Sequence, residues 1–563
     1  LRLAGALGYA GCILENVDYI NTAEEDLFDE QLSTQEGTKY GFIDLMTAEN
    51  GTYSEGMLYT QFTLEGLAPF FTARNRVDLS HLTDLDNGAS VNWYENNKIK
   101  QIYENSMDLI APDFGYLSID DAVNAGIKRP SGELVSPMTF TQALSYYFQG
   151  NDSSLKANIN WFLESYKNTY SDDYPSGLSH FGHIPQLFSY KSITSPGSAV
   201  PQNTANGSYS NTEFTIFRKA SSNVSEIQNS PTLVVTHDRS NNYSSHEHSD
   251  QGSFMLYYQG KPLLIDPGYR PSWGSNIGRE WLRSPFAHNV LMVNPYRTDA
   301  NHDENYELDQ DYWSVSGNYA VWSGDAPHTF YDFALTDFEP VGWINEVFST
   351  KEKTNPANKQ YFLENSNIQH LQINIIYNHP QADYNGNSND IIGLNRNFYS
   401  MDIDESNPYF IVYDEVASSD TCSANEFVNQ LHFALHPVVG NNNYYLGIDN
   451  LTNVSEINSE NGKFTYETWN NTANLFGTTG AMNNSTEWVV LDSLPQGLYC
   501  GNKWHANFLP PQWEHKALRI NSTTSEDEKF LTLLFPSEND ESPIIYALNN
   551  SNGYGVKYDV DTN

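Results

Sequence analysis

The hydrophobic period of the chain changes about a third of the way along, and this change constrains the fold more than any other sequence feature. Up to about residue 190, segments such as SEGMLYTQFTLEGLAPFFTARN carry apolar residues at spacings of three and four, as amphipathic helices do. From FTIFRKAS onward, the apolar segments are short, alternating, and rich in β-branched and aromatic residues, which is typical of strands. The sequence therefore predicts a multidomain α+β chain, helical first and antiparallel β afterwards.

The chain is also too long for one hydrophobic core, at 563 residues. The segment KSITSPGSAVPQNTANGSYSNTE is rich in Ser, Pro, Asn and Gly and indicates a linker or a long surface loop. We expect an α-helical domain at 1–195, a linker at 196–213, a central antiparallel β-sandwich at 214–450, and a C-terminal β region at 451–563. The sequence shows no fixed-period repeat of the kind that indicates a solenoid or a propeller.

The charge balance narrows the range of partners. Lys and Arg total 29 against 70 Asp and Glu, which gives a net charge of −41. A field of this sign repels nucleic acid and anionic membranes, so we expect neither as a partner. It would also repel an acidic polysaccharide unless basic residues gather in one cleft, and adaptation to salty water is the simpler explanation of the acidity. The sequence does not indicate an oligomeric state.

The start of the chain and its cysteines bear on its location. About 14 apolar residues open the chain, too few to span a membrane, and they include Arg2. They lack a basic leader and a small-residue cleavage site, so we interpret them as a helix already under way and expect a signal peptide upstream. Cys12, Cys422 and Cys500 are far apart and predict neither a disulfide framework nor a zinc knuckle. The cysteines leave the redox compartment undecided, whereas the high content of Tyr, Phe and Trp suits a secreted carbohydrate-active protein. We expect a secreted or periplasmic location.

Two histidines are spaced to share one face in the segment SSHEHSD. Side chains two residues apart on a strand point to the same side, so His246 and His248 point the same way and Glu247 points to the other. Two imidazoles on one face suit a metal ion. An isolated pair of this kind is more often a pair of buried structural histidines, at odds of roughly two to one.

The residues that follow favour a metal site over a pair of buried structural histidines. The segment GSFMLYYQGKPLLIDPGY predicts a hairpin with strands at 253–258 and 262–265, which returns Asp266 to the start of the first strand. A third imidazole, His288, immediately precedes another apolar strand in REWLRSPFAHNVLMVN. Imidazoles together with one carboxylate favour zinc over calcium or magnesium.

Taken together, these segments resemble the β-sandwich signature of the heparinase II/III-like polysaccharide lyases, with its HxHxDxGSF, LLxDPGY and RSxxAHN elements. The resemblance implies an (α/α) toroid of incomplete helical barrels followed by an antiparallel β-sandwich. It also implies that His248, Asp266 and His288 bind one zinc ion, and that His246 faces the substrate. We expect this zinc to be mainly structural.

A second resemblance lies in the helical part. The segment ENGTYSEGMLYTQFTLEGL resembles the toroid segment that carries the catalytic tyrosine of these lyases, and the matching residue is Tyr59. Tyr53 and Glu55 belong to the same stretch and are candidate substrate-binding residues. Glu55, Tyr59 and Phe62 would share one side of a helix, so Tyr59 taken alone would also fit an ordinary core aromatic. The family usually carries an Asn-His pair before this tyrosine, and we expect that pair upstream of Leu1.

The lyase reaction explains why a tyrosine and a histidine are needed. Removal of the C5 proton of a uronate builds enolate charge on the carboxylate, after which the C4 oxygen leaves. The resemblance implies that His246 neutralises this charge or acts as the base, and that Tyr59 acts as base, acid or both. The predicted function is β-elimination of an acidic, uronic-acid-containing polysaccharide, with alginate or ulvan ahead of glycosaminoglycans. A zinc-dependent glycan hydrolase and a non-catalytic carbohydrate-binding protein remain as alternatives.

Further side chains near the motifs are candidate contacts for the substrate. Arg239 and Arg283 rank first for binding carboxylates, and Trp273 can stack on a sugar ring. Arg74 is a weaker candidate, because a solvated arginine is the more common explanation. His432 lies on a predicted strand with no acidic residue nearby and is interpreted as structural.

Overall fold

A computed structural model describes the fold over most of the chain. The described residues are 1–28, 32–33, 39–47, 51–53, 56–112, 117, 119, 127–128, 140–169, 198–211, 213–237, 250, 252–266, 288–293, 358–364, 368–378, 391–402, 408–417, 425–433, 445–446, 458–460, 463–466, 474–481, 487–491, 516–524, 527–537, 544–550 and 553–559.

Helices dominate the chain before residue 170, as the spacing of its apolar residues predicts. Local signals set several helix ends: Asn96 accepts hydrogen bonds from the backbone N–H groups of Lys98 and Ile99, at 2.9 and 3.3 Å, and so caps the fifth helix. The first helix ends where Glu15 adopts a left-handed conformation, with φ of 55°. The helices are α1 (Arg2–Leu14), α2 (Val17–Phe28), α3 (Phe42–Leu45), α4 (Gly56–Arg76), α5 (Asn97–Asp108), α6 (Phe140–Gln149), α7 (Ser153–Thr169), α8 (Gln202–Asn206) and α9 (Val224–Asn229). None of the described helices is long and apolar enough to cross a membrane.

The helical part has its own core, in which α1 lies directly against α4. Gly5 makes this approach possible, because a Cβ atom there would lie 2.5 Å from the carbonyl oxygen of Gly66. Arg74 on α4 is buried, and its Nε donates to Glu24 at 2.7 Å. The interpretation of Arg74 as a solvated arginine is therefore wrong, because the side chain is 1% exposed and paired inside the helical core.

Most of the described strands lie after residue 208, and three short ones lie before it. The strands are β1 (Leu32–Ser33), β2 (Lys39–Tyr40), β3 (Ile127–Lys128), β4 (Tyr209–Ser210), β5 (Phe214–Phe217), β6 (Thr232–Thr236), β7 (Phe254–Tyr258), β8 (Lys261–Leu264), β9 (Leu291–Val293), β10 (Asn358–Glu364), β11 (Ile368–Asn378), β12 (Ile391–Met401), β13 (Tyr409–Ala417), β14 (Asn425–Phe433), β15 (Tyr445–Leu446), β16 (Asn458–Glu460), β17 (Lys463–Tyr466), β18 (Asn474–Ala481), β19 (Glu487–Leu491), β20 (Lys516–Thr524), β21 (Glu528–Ser537), β22 (Ile544–Asn550) and β23 (Gly553–Asp559).

Two large antiparallel sheets form the β part. In the first sheet the strand order is β19-β20-β14-β8-β7-β6-β5-β4, and β9 also pairs with β14. The second sheet has the order β10-β11-β12-β13-β21-β18-β17-β16. Inward-facing residues of both sheets, such as Leu256, Leu264, Phe398, Phe410 and Leu518, share one buried core, which makes the two sheets a β-sandwich.

The hairpin predicted around Asp266 is confirmed. Strands β7 and β8 are joined by Gln259 and Gly260, whose φ angles of 52° and 63° fit the tight turn that matches the twist of paired strands. Tyr258 pairs with Lys261 across the turn.

The helical part packs on the outer face of the first sheet. Met57 of α4 lies in one buried cluster with Phe214 of β5, Val234 of β6, and Met255 and Tyr257 of β7. The neighbouring residues on these strands point into the sandwich core instead. The strands β5 to β7 are thus covered on both faces, and the start of α4 is held against them.

The predicted linker and the predicted C-terminal region both contain elements of the observed fold. Residues 170–197 lie outside the described residues, and the stretch predicted as a linker, 196–213, includes the short helix α8 and the edge strand β4. Within the predicted C-terminal region, 451–563, strands β19 and β20 belong to the first sheet, and β16, β17, β18 and β21 belong to the second. Both sheets are therefore built from strands on either side of residue 450.

Candidate metal and catalytic site

A buried aspartate and a histidine meet at the end of the β7–β8 hairpin. Asp266 follows β8 and His288 comes shortly before β9, and the Nδ1 atom of His288 lies 2.5 Å from Oδ2 of Asp266. The side chains of His288 and Asp266 are 0% and 3% exposed. Two residues that are 22 positions apart in the sequence thus form one short polar contact inside the protein.

This contact brings an imidazole nitrogen and a carboxylate oxygen to one point. The two atoms can share a proton there, or both can face one ion as neighbouring ligands, depending on whether Nδ1 of His288 carries a proton. Imidazole nitrogens and carboxylate oxygens are both donors that zinc accepts.

The residue after this histidine, Asn289, ties the surrounding segments together. Its Nδ2 group donates to the backbone carbonyl of Phe254 at 2.7 Å and to that of Ile265 at 3.0 Å. Its Oδ1 atom accepts from the backbone N–H of His432 at 2.6 Å. One fully buried amide therefore connects the start of β7, the end of β8 and strand β14.

His432 has the structural role that the sequence suggested for it. Besides donating to Asn289, it accepts a hydrogen bond at its carbonyl oxygen from the backbone N–H of Ile265, at 3.0 Å. The residue is 1% exposed on β14. Its backbone groups thus help to hold the residue that precedes Asp266.

An arginine from the second sheet reaches the same place. The Nη1 group of Arg396, on β12, donates to the carbonyl of Gly252 at 2.9 Å and to that of Asn289 at 3.0 Å. Its other donors bind Asp414 at 2.8 and 3.1 Å and Asn429 at 3.3 Å. This guanidinium joins both sheets beneath the segments that carry the site residues.

The turn that leads into β7 is fixed by a threonine. Thr236, at the end of β6, donates from its hydroxyl to the carbonyl of Asp250 at 2.6 Å, and its own carbonyl accepts from the N–H of Gly252 at 2.8 Å. Gly252 has φ of 79°, a conformation that favours glycine. The chain that follows His246 and His248 therefore enters the sheet at a defined position.

Several predicted site residues fall beyond what the structure describes. Glu55, Arg239, His246, His248, Trp273 and Arg283 all lie outside the described residues. In the described ranges, no group of three or more His, Cys, Asp or Glu side chains could hold a metal ion. Two of the three predicted zinc ligands are nevertheless in contact, so the zinc site stays a prediction whose third ligand is His248.

Tyr59 lies on the first turns of α4 and is partly exposed. Its ring meets the edge of the Phe62 ring, with 6.0 Å between centroids. The guanidinium carbon of Arg2 lies 3.7 Å from the centroid of the Phe62 ring, on the neighbouring helix α1. The phenol of Tyr59 is thus partly accessible from the surface, and its catalytic role stays a prediction.

Tyr53 has a more enclosed environment than a substrate-binding side chain needs. It is 5% exposed, and its hydroxyl accepts a hydrogen bond from Thr63 of α4 at 3.1 Å. The residue therefore fixes the loop before α4 against that helix. Its contribution to substrate binding stays a prediction.

Sequence reasoning missed the two residues that organise the site. Asn289 stands in the AHN motif beside a predicted ligand, but its amide has no sequence signature of its own. Arg396 could have been found by its position. It lies two residues from Leu394 and from Phe398, which both face the core, and side chains two residues apart on a strand point to the same face. A charged residue at a core-facing position of a strand indicates a buried network.

An antiparallel β-sandwich that follows a helical region and encloses a linked Asp-His pair is the arrangement that the sequence motifs indicated. Residues 203–310 match the family model described as Heparinase II/III-like, C-terminal. The resemblance to the heparinase II/III-like family is thereby confirmed, and the matched stretch includes Asp266, His288 and Asn289.

Solved structures have a similar fold. A structure of heparinase III matches with a TM-score of 0.54 and 13% identity, covering 100% of this chain and 65% of that one. A heparan sulfate lyase HepC mutant from Pedobacter heparinus matches with a TM-score of 0.50 and 12% identity, covering 91% of this chain and 57% of that one. The chain thus spans less than two thirds of the length of these proteins, and at such identities the likeness shows the fold alone. The comparison with curated proteins found no match.

Proposed function

We propose that this chain acts as a polysaccharide lyase, which cleaves a uronic-acid-containing polysaccharide by β-elimination and leaves 4,5-unsaturated uronate ends. The observation that carries the proposal is the buried Asp266–His288 contact, which lies within the stretch that matches the heparinase-like family. The described helices, which we propose belong to an (α/α) toroid, pack on the same sheet through Met57, two residues before Tyr59. Residues from both parts of the chain can then line one cleft.

We further propose that Asp266, His288 and His248 hold one zinc ion. The donor set fits in its chemistry, because a carboxylate and imidazole nitrogens are ligands that zinc accepts. Zinc bound there would supply a fixed positive charge and link the hairpin to the segment before β9. Its role is mainly structural, since metal binding free energy adds to the stability of the fold.

The chain's own residues are proposed to perform the elimination. Depending on the C5 stereochemistry of the sugar, Tyr59, at the partly exposed start of α4, either takes the C5 proton and returns it to the leaving C4 oxygen, or protonates that oxygen while His246 takes the C5 proton. In the first case, His246 faces the substrate and neutralises the charge that develops on the carboxylate. Arg239 and Arg283 bind carboxylates of flanking units, and Trp273 stacks on a ring.

The choice of polymer is the finer part of the proposal. Alginate or ulvan is favoured because the net charge of −41 suits a salt-rich setting, where long-range repulsion of an acidic substrate is screened. Glycosaminoglycans belong in the same test, since one similar structure is a heparan sulfate lyase. We also propose a secreted or periplasmic location, where such polymers are met, and cell fractionation checks it.

The test is a panel of alginate, ulvan, hyaluronan, chondroitin and heparan sulfate, digested by this chain and by a form extended upstream of Leu1. Elimination creates a conjugated double bond, so at least one polymer should give rising ultraviolet absorbance as its viscosity falls. Falling viscosity without absorbance would favour a zinc-dependent hydrolase, in which the metal activates water. Binding without any loss of polymer length would favour a non-catalytic carbohydrate-binding protein.

A further inference from the structure

We infer that Arg396 is a positioning residue, which sets the geometry of the Asp266–His288 pair from the opposite sheet. The residue lies on β12, is 1% exposed, and faces the sandwich interior beside Phe254 and Phe398. Burying a guanidinium costs free energy unless each of its donors is matched. The pattern of its hydrogen bonds therefore shows what the residue holds in place.

All five N–H groups of this guanidinium have an acceptor. Nε and one N–H of Nη2 bind the two carboxylate oxygens of Asp414, and Nη2 also reaches Oδ1 of Asn429. Both N–H groups of Nη1 bind backbone carbonyls, those of Gly252 and Asn289. The Asp414 pair fixes the plane of the group, and the fixed plane fixes the two carbonyls relative to each other.

These two carbonyls belong to the segments that carry the site. Gly252 follows the HEHSD motif and precedes β7, whereas Asn289 directly follows His288. The buried amide of Asn289 in turn binds the carbonyl of Ile265, the residue before Asp266. One guanidinium thus acts on both members of the Asp-His pair through a single intermediate residue.

A lysine cannot reproduce this arrangement. Its ammonium is a single point with three donors, whereas the two carbonyls and the two carboxylate oxygens lie around a planar fork. Arg396→Lys keeps the positive charge beside Asp414, so it removes the fork without leaving a buried carboxylate unpaired. The backbone segments at Gly252 and Asn289 should then no longer be held in a fixed position relative to each other.

The helical part offers a matched control. Arg74 is also 1% exposed, pairs with a buried carboxylate, Glu24, and donates to the backbone carbonyls of Gly88 and Ala89. Its partners belong to the helical core, so Arg74→Lys imposes a similar loss of buried hydrogen bonds without touching the segments of the site. Any effect particular to Arg396→Lys then reports on positioning.

The inference rests on the proposed function for its zinc readout, and it has a second readout that does not. We expect Arg396→Lys to bind zinc at least tenfold more weakly in competition with a chelator, and Arg74→Lys to change the affinity less than twofold. In metal-free protein, a proton shared between Nδ1 of His288 and Oδ2 of Asp266, which lie 2.5 Å apart, should give a strongly downfield NMR resonance. That resonance should weaken or shift in Arg396→Lys and persist in Arg74→Lys.

Equal zinc affinity in both lysine variants, with the resonance unchanged, would overturn the inference. If the wild-type protein binds no zinc, the proposed metal site fails, and the resonance alone decides the role of Arg396. If Arg396→Lys does not fold, the double variant Arg396→Met with Asp414→Leu decides, because it removes the charge pair as a unit and keeps the core apolar. A folded double variant with wild-type zinc affinity and resonance would also overturn it.

Discussion

Asn289→Ala should destabilise the sandwich by an amount that can be worked out from its contacts. The side chain is fully buried and makes three hydrogen bonds, to the carbonyls of Phe254 and Ile265 and from the N–H of His432. At about 1 kcal/mol for each bond lost, the free energy of unfolding should fall by about 3 kcal/mol, and somewhat more if the stranded groups remain dry. Because these bonds join three strands, the loss should appear in the unfolding of the whole sandwich.

Denaturant unfolding followed by tryptophan fluorescence measures this change. Asn395→Ala is the matched control: Asn395 lies on the half-exposed outer face of the second sheet, where it accepts one side-chain hydrogen bond, from Asn374 at 2.8 Å. We expect the control to lose at most about 1 kcal/mol. A loss below about 1 kcal/mol for Asn289→Ala, or a loss equal to that of the control, would refute the view that this amide holds the site segments together.

Three further outcomes are expected. Tyr59→Phe removes one hydroxyl, so it should lower lyase turnover at least about 100-fold, measured by ultraviolet absorbance, while zinc content and melting temperature stay unchanged; normal turnover would exclude Tyr59 as the proton-transfer group. Asp266→Ala should lower zinc content and melting temperature together, measured by metal analysis and calorimetry; a stable, zinc-loaded variant would remove Asp266 from the ligand set. Burial raises the pKa of Asp108 from 3.8 to about 6, so the folded protein keeps a proton that the unfolded chain releases, and stability should fall by about 2 kcal/mol as pH rises from 4 to 6.5. Asp108→Asn should lack this fall in denaturation curves measured across that range, and an identical pH dependence in both proteins would contradict it.

The local features of the fold could be predicted from the sequence because each has a short-range cause. The spacing of apolar residues indicated α4, and alternation indicated β13, in which buried and half-buried residues alternate along the strand. The hairpin that ends at Asp266 could be predicted because a Gly at a tight turn and flanking apolar runs define it within about 15 residues. Such signals act within one element or between neighbours.

The assembly of the sheets could not be predicted in the same way. Strand β20 pairs with β14, which lies about 90 residues earlier, and β21 pairs with β13, which lies still further away. Both pairings depend on side-chain packing between distant segments, for which a single sequence carries no local signal. The sequence therefore sets residues 451–563 apart as a C-terminal β region, whereas strands β16 to β21 of that stretch enter the two sheets of the sandwich and β22 pairs with β23.

In the candidate site, too, some residues could be predicted from local motifs and others could not. Asp266 and His288 could be predicted because imidazole and carboxylate side chains beside apolar runs are recognisable motifs. Arg396 is more than 100 residues from His288 in the sequence, and its role follows only from the sheet that brings β12 across from β7. A residue that holds a site from the opposite sheet belongs to no local sequence motif, so only the structure shows its role.

The most direct test of β-elimination is the mass of the products formed in water enriched in oxygen-18. Hydrolysis adds one molecule of water across the cleaved bond, and elimination adds none. In samples taken before the new reducing ends exchange oxygen with the solvent, we predict oligosaccharides that are lighter by one water than hydrolytic products, carry no heavy oxygen at the cleaved bond, and end in an unsaturated uronate. Products with one heavy oxygen at one of the two new ends and no unsaturation would contradict the lyase account.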